Sequence, residues 1–206
     1  NAAGPVKITA TGAYVQPSVA GQPRWAVGKL ADARFVNAGT GALWRTVTVR
    51  GVALSAPSAQ EQGIVAVKTL WTMAGGRADP ASLAQGDRVI VQLSGVSRQG
   101  RSMLMVLDDA LPAGFEIETV LGPDDAQNGP FRFLGELTGA SVQERRDDRY
   151  IAALNVPGAQ RFSVAYVARA VTPGAFFLPG AEARDMYRPG VFARTAGTRV
   201  AIAAGP

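Results

Sequence analysis

Read for the spacing of apolar and polar positions, the chain offers strands almost everywhere and no helix of three turns. "RVIVQLSGV" alternates cleanly, with Val89, Val91 and Leu93 on one face and Arg88, Gln92 and Ser94 on the other. "QRFSVAYVARAV" does the same with Phe162, Val164, Tyr166 and Ala168. Between and around these lie "IVAVKTLWTM" from Ile64, "SMLMVLDDALP" ending at Pro112, and "GFEIETVLG" with Phe115 and Ile117 inward. "VQERRDDRYIAALNV" reads as strand, turned at Asp147-Asp148, and "NGPFRFLGELTG" as a short helical turn. The last strand is expected in two pieces, "AFFLP" and "RVAIA". Seven or so short strands, punctuated every ten to twenty residues by glycine and proline, predict a two-sheet antiparallel sandwich of immunoglobulin-like type.

The first quarter of the chain patterns differently. "VKITA" places Val6, Ile8 and Ala10 on one face. "RWAVGKLADARFVNAG", interrupted at Gly28, is read as extended, with a short irregular helix as the alternative. "ALWRTVTVRGVAL" reads as a firm strand, with Leu43, Val47 and Val49 on one face, broken by Arg45, and Trp44, Thr46 and Thr48 on the other. So few strands supply little core by themselves and need something to pack against. "SAPSAQEQG", residues 55–63, is small, polar and broken by Pro57, and is read as a linker.

Charge sharpens that boundary. Residues 1–56 hold six Lys/Arg (Lys7, Arg24, Lys29, Arg34, Arg45 and Arg50) against the single acid Asp32. Residues 57–206 hold fifteen of each sign, so the whole net charge of +5 belongs to the first segment. The expected organisation is therefore a β unit over residues 1–56 and a β-sandwich domain over residues 57–206. No Lys/Arg run with interleaved aromatics accompanies the basic balance, which argues against a nucleic-acid groove. No apolar run is long enough to cross a membrane, and no direct membrane contact by this chain is expected. The chain opens on "NAAGPVKITATG" without Met and reads as a piece of a larger protein.

The 206 residues contain neither cysteine nor histidine. Disulfides, thiolate metal sites, a cysteine nucleophile and any histidine-based triad are excluded. Carboxylates remain. Asp108-Asp109, Asp124-Asp125 and Asp147-Asp148 are adjacent pairs, but neighbours on a strand point to opposite faces, and no Asp-x-Asp-x-Asp-Gly loop occurs. They read as solvated turn carboxylates, with a cation at Asp124, Asp125 and Asn128 as the functional alternative. "ERRDDR", residues 144–149, reads as a self-neutralised hairpin tip rather than an anion site, and "GRADPASLAQGD" as a turn rather than a phosphate cradle. No catalytic residue, cofactor or metal is expected.

"ARDMYRPG" is the segment the strand pattern does not absorb. Pro179 and Pro189 bar ladder donation nearby, so Met186 and Tyr187 are expected on a loop interrupting the last strand. Such a loop either plugs the end of the sandwich or faces a partner.

Together "DDALPAGFEIE" (residues 108–118), "RRDDRYIAAL" (145–154) and "YVARAVTPGAFFLPGAEARDMYRPGVFARTAGTRVAI" (166–202) resemble the C-terminal end of bacterial α2-macroglobulins. "NAGTGALWRTVTVRGVAL" (37–54) resembles the segment preceding that final domain. The resemblance implies a non-catalytic, seven-stranded macroglobulin domain, preceded by the second half of a CUB-like β domain. Its parent would be a broad-spectrum protease trap, periplasmic and held at the inner membrane as a lipoprotein. Its partners would be the other domains of that parent, above all a thioester-type domain that it shields, with target proteases met only by the whole molecule. Phe176, Phe177, Met186, Tyr187 and Arg188 are the candidate inter-domain contacts. A generic immunoglobulin-like adhesion or spacer module is the main alternative. A carbohydrate-binding sandwich is weaker, since it needs coplanar exposed aromatics and only Trp25, Trp44 and Trp71 are available.

Overall fold

A computed structural model describes residues 56–205 continuously and, before them, residues 8–11, 16–17, 25–26, 34–40, 44 and 46–48. The chain forms two compact units, residues 1–52 and 53–206. In the first, β1 (Ile8–Thr11) pairs antiparallel with a later strand, β4 (Arg34–Asn37), and β2 (Gln16–Pro17) pairs with β3 (Trp25–Ala26). The Trp25 and Phe35 rings meet at 5.5 Å between centroids. The strand expected around Trp44 is not found at the described positions: Trp44 and residues 46–48 lie outside any ladder, and Trp44 is fully exposed. The rest of that segment lies outside the described residues.

The second unit is all-β apart from two short turns of helix. Its elements are β5 (Gln60–Gln62), β6 (Ile64–Thr72), β7 (Leu83–Ala84), β8 (Arg88–Ser97), β9 (Met103–Ala110) and β10 (Phe115–Leu121). After α1 (Pro123–Gln127) and a 3-10 turn (Arg132–Leu134) come β11 (Val142–Arg145), β12 (Arg149–Val156), β13 (Arg161–Ala170), β14 (Gly174–Leu178), β15 (Glu182–Asp185), β16 (Phe192–Arg194) and β17 (Thr198–Ala203).

One sheet runs β10-β13-β8-β6, the other β11-β12-β9-β15-β16-β5, all antiparallel. Their facing sides share one core. Val89, Val91, Leu93, Phe162, Val164 and Tyr166 come from the first sheet, and Met103, Met105, Leu107, Tyr150, Ala152, Leu154 and Ala183 from the second. These are the inward positions of the alternation, each large apolar side chain contributing roughly 1.5–3 kcal/mol by leaving water. Gly95 on β8 marks where the sheet tolerates no side chain: a Cβ there would meet the Val65 carbonyl oxygen and the Phe162 ring.

The four-stranded sheet is covered on its other side as well. Ile90, Ala165, Val167 and Leu121 pack under Ala126, Leu134 and Leu137 of the segment carrying α1 and the 3-10 turn. Gln92 fastens that segment, its amide donating to the Leu134 carbonyl oxygen (2.8 Å) and to Ser163 Oγ (2.9 Å) while accepting from Trp71 Nε1 (2.9 Å). Burial on both faces explains why β13 is buried nearly throughout and unbroken in apolar residues from Val164 to Ala168.

Two expectations are corrected. The linker read over residues 55–63 contains β5, an edge strand on β16 whose exposed Gln60, Glu61 and Gln62 pair through backbone alone, which no side-chain alternation could reveal. "AFFLP" and "RVAIA" are not halves of one strand. They are β14 and β17, antiparallel neighbours in a third sheet, β14-β17-β7, and the β15–β16 hairpin of the six-stranded sheet lies between them in sequence.

A rigid exposed loop as the candidate functional site

The "MYRPG" segment is the connection between β15 and β16. Its base is closed by Asp185 N donating to the Val191 carbonyl oxygen (3.0 Å) and Val191 N donating to that of Arg188 (2.8 Å). The organising group is the Asp185 carboxylate, almost entirely buried. Oδ1 accepts from the backbone N–H of Tyr187 (2.9 Å) and of Arg188 (3.1 Å), and Oδ2 accepts from Arg188 Nε (2.7 Å). Burial pushes this carboxyl up, but the Tyr187 amide and the Arg188 side chain and amide outweigh it and hold it below the usual carboxylate range. An aspartate accepting from the backbone N–H groups two and three residues on sets a tight turn, and the guanidinium locks it.

The lock decides where the side chains go. Arg188 folds back against Asp185 and is mostly covered, whereas Met186 (52% exposed) and Tyr187 (76% exposed) stand in solvent. Met186 N donates to the Leu104 carbonyl oxygen (2.8 Å), so the loop's first residue is still tied to β9. The choice between plugging the sandwich and facing outward is therefore settled for Met186 and Tyr187: they face outward. A rigid loop carrying an exposed thioether and phenol is suited to contact, since little conformational freedom remains to be lost on docking.

The other candidates lie elsewhere. Phe176 and Phe177 are on β14 in the third sheet. Phe176 packs against the main core and lies over Gly114, while Phe177 is half exposed and rests on Gly197, where a Cβ would collide with its ring. The structure thus brings Met186, Tyr187 and Arg188 into one loop and leaves the phenylalanine pair on a separate strand.

Sequence reasoning missed a buried polar cluster between the sheets. Asp108 and Asp109 are on β9, not in a turn. Asp108 faces outward to Arg149 (3.3 Å), and Asp109 is wholly buried. Lys68 Nζ on β6 donates to Asp109 Oδ1 (2.6 Å) and to the Pro179 carbonyl oxygen (3.1 Å), and Tyr166 donates to Asp109 Oδ2 (2.8 Å). The Tyr150 ring stacks on Tyr166 at 4.8 Å. Burial pushes the Asp109 carboxyl up, and Lys68 and Tyr166 draw it back only in part. The hydroxyls of Tyr166 and Tyr150 are pushed up as well, by burial first and then by the Asp109 charge. Sealed from solvent, the cluster is a bolt between sheets.

Asp125, Glu144 and Asp148 have structural partners. Asp125 caps α1, accepting from Gly122 N (2.7 Å). At the β11–β12 tip, Arg146 pairs with Glu144 (2.8 Å) and Arg149 with Asp148 (2.9 Å), a self-neutralised hairpin as the pattern predicts. Among the described residues no three acidic side chains gather where a metal ion would be held. Two surface depressions, one lined by Gln85, Gly86 and Arg169, the other by small residues of β7, β14 and β17, assemble no acid–base pair.

Against known proteins, residues 63–190 match the family model described as the bacterial α2-macroglobulin MG10 domain. The chain is 33% identical over 169 residues to an α2-macroglobulin of Xylella fastidiosa and 30% identical over 173 residues to that of Escherichia coli K12, matching across 76% and 78% of its own length. It spans only 10% of each of these curated relatives. Among solved structures, native E. coli α2-macroglobulin from domain MG7 to the C-terminus superposes with a TM-score of 0.64 at 26% identity, over 74% of this chain and 25% of that one. A Salmonella α2-macroglobulin mutant gives 0.73 at 24% identity over 98% of this chain and 13% of that one, a likeness of fold. The antiparallel sandwich and these matches lead to one conclusion: the chain belongs to the bacterial α2-macroglobulin family and carries its MG10 macroglobulin domain.

Proposed function

We propose that this chain is the non-catalytic C-terminal docking region of a larger bacterial α2-macroglobulin that traps proteases of many kinds. Residues 1–56 are the second half of a CUB-like domain in this reading, and residues 57–206 the macroglobulin domain that docks and shields a neighbouring thioester-type domain. The observation carrying it is the β15–β16 loop. Three donors to the Asp185 carboxylate hold Met186 and Tyr187 in solvent, where an isolated domain has no use for them. The small share of its relatives that the chain spans supports a partner within the same polypeptide. The parent is proposed to be a periplasmic lipoprotein at the inner membrane, which cell fractionation checks directly.

The test uses the full-length parent and a labelled small amine. Wild type is expected to take up labelled methylamine only after a protease has cut it. Tyr187→Ala is expected to take it up beforehand, because its shield is opened. Equal uptake by the two before cleavage removes the shielding role. A parent that never takes up label, yet changes shape on cleavage, removes the thioester and leaves a non-covalent trap.

A further inference from the structure

The outward side of the six-stranded sheet is divided into rows. One row runs Ile151, Asp108, Glu182, Arg194 across β12, β9, β15 and β16, and its charges are paired: Arg149, two residues before Ile151 on β12, reaches Asp108 at 3.3 Å and Arg194 reaches Glu182 at 2.7 Å. That is an ordinary solvated surface. The next row, two residues along each strand, runs Ala153, Val106, Arg184, Phe192. It is apolar except at Arg184, which is exposed and makes no ion pair or side-chain hydrogen bond among the described residues. Beyond it Leu104, 40% exposed, stands beside Met186, joined by the Met186 N–H to Leu104 carbonyl bond. Val106 and Leu104 therefore carry apolar surface from this row to the base of the Tyr187 loop.

Inward positions on these strands are already filled by Ala152, Leu107, Met105, Ala183 and Ala193, so this second apolar set is not needed for the core. An apolar patch rimmed by paired charges and centred on an unpaired cation is built for a partner. We propose that the face formed by Leu104, Val106, Ala153, Arg184, Met186 and Phe192 docks an apolar surface of another domain of the parent chain, one that presents a carboxylate to Arg184. The proposal rests on the reading of the Tyr187 loop as a docking element and extends it from a loop to a whole face. Two observations select the occupant. Nine-tenths of the relatives' length lies outside the region this chain matches, and the patch is continuous with the loop. The carboxylate follows from Arg184, since covering an unpaired guanidinium with apolar surface is strongly unfavourable.

The experiment places photoreactive p-benzoylphenylalanine, one position at a time, at 104, 184 and 187 in the full-length parent. All three are surface positions whose replacement leaves the core intact. Irradiation of the uncut protein is expected to join positions 104 and 184 to peptides of the same other domain, apolar and containing Asp or Glu. Adding Arg184→Glu is expected to lower the yield from position 104 roughly tenfold, the loss that follows when opposite charges become like charges. Links from 187 alone overturn the sheet face and leave the loop standing. Links from none of the three overturn both readings. Links joining two copies of the chain overturn the proposed occupant in favour of self-association, and a yield indifferent to Arg184→Glu overturns the carboxylate.

Discussion

Asp109 and Asp185 lie on neighbouring strands of one sheet, both side chains almost wholly removed from water, each within bonding distance of a cation. Their environments drive them in opposite directions. Asp109 sees one ammonium and one phenol across the interior of the sandwich, and burial wins, pushing its carboxyl up. Asp185 sees two backbone amides and a guanidinium at a loop base, and these donors win, holding it below the usual range. Asp109 lies deep between the sheets whereas Asp185 is covered only by its own loop at the surface, so depth of burial and the number and kind of donors together decide the direction. The first carboxylate bolts two sheets together and the second shapes a loop for presentation.

Breaking the bolt should have the largest effect. Lys68→Met leaves Asp109 buried without its cation, a change that costs about 3–5 kcal/mol. At about 2–4 °C per kcal/mol for a domain of this size, thermal unfolding of the second unit should fall by roughly 6–20 °C. Adding Asp109→Asn to Lys68→Met removes the stranded charge while leaving Tyr166 an oxygen to donate to, so most of the loss should return. Calorimetry on the parent protein reads both. A double variant no more stable than the single one would show that geometry, rather than buried charge, makes this site.

Acid should separate the two carboxylates. A group whose folded pKa is lowered contributes stability above its ordinary value and loses it as pH falls through the lowered one. Asp185 is such a group, so the loop should loosen in acid. Asp109, raised by burial, contributes nothing that acid takes away. As pH falls below the usual carboxylate range, amide protection at Tyr187 and Arg188 should be lost first. The near-ultraviolet signal of the stacked Tyr150 and Tyr166 should persist. Asp185→Asn should reproduce the loosening at neutral pH at a cost of about 1–2 kcal/mol, read by hydrogen exchange at the same amides. Loss of the tyrosine signal at or before the loop's release would erase the distinction.

The two sites also differ in how far the sequence discloses them. The bolt was legible in principle. Met103, Met105, Leu107 and Asp109 fall on one side of a strict alternation, and so do Ile64, Ala66, Lys68 and Leu70, so opposite charges stand at inward positions of two strands. Reading Asp108-Asp109 as a turn pair hid this. The loop was found because Pro189 follows Met186 and Tyr187, but the same reading is corrected for residues 183–185: β15 runs Glu182–Asp185 between Pro179 and Pro189 and pairs with β9 and β16. Its rigidity was not legible, because one aspartate among fifteen acids in the second segment carries no mark of accepting three hydrogen bonds. The sheet order was hidden too. β5 has no apolar pattern, and the insertion of the β15–β16 hairpin between β14 and β17 is a matter of long-range pairing.

The smallest effect belongs to a third pair, which has a cation and a carboxylate but neither burial nor a network. Arg146 and Glu144 meet at 2.8 Å at the β11–β12 tip with both side chains about half exposed. Water screens the attraction, and holding two long side chains in register costs rotamer freedom that offsets what is left. The turn does not depend on the pair, because Arg146 N still donates to the Arg149 carbonyl oxygen at 2.9 Å whatever side chain residue 146 carries. Arg146→Ala should therefore shift stability by less than about 0.5 kcal/mol, and raised salt should shrink even that. A loss above about 1 kcal/mol, persisting in high salt, would mean that proximity alone stabilises an ion pair here, and the contrast between Asp109 and Asp185 would need a cause other than burial set against donor count.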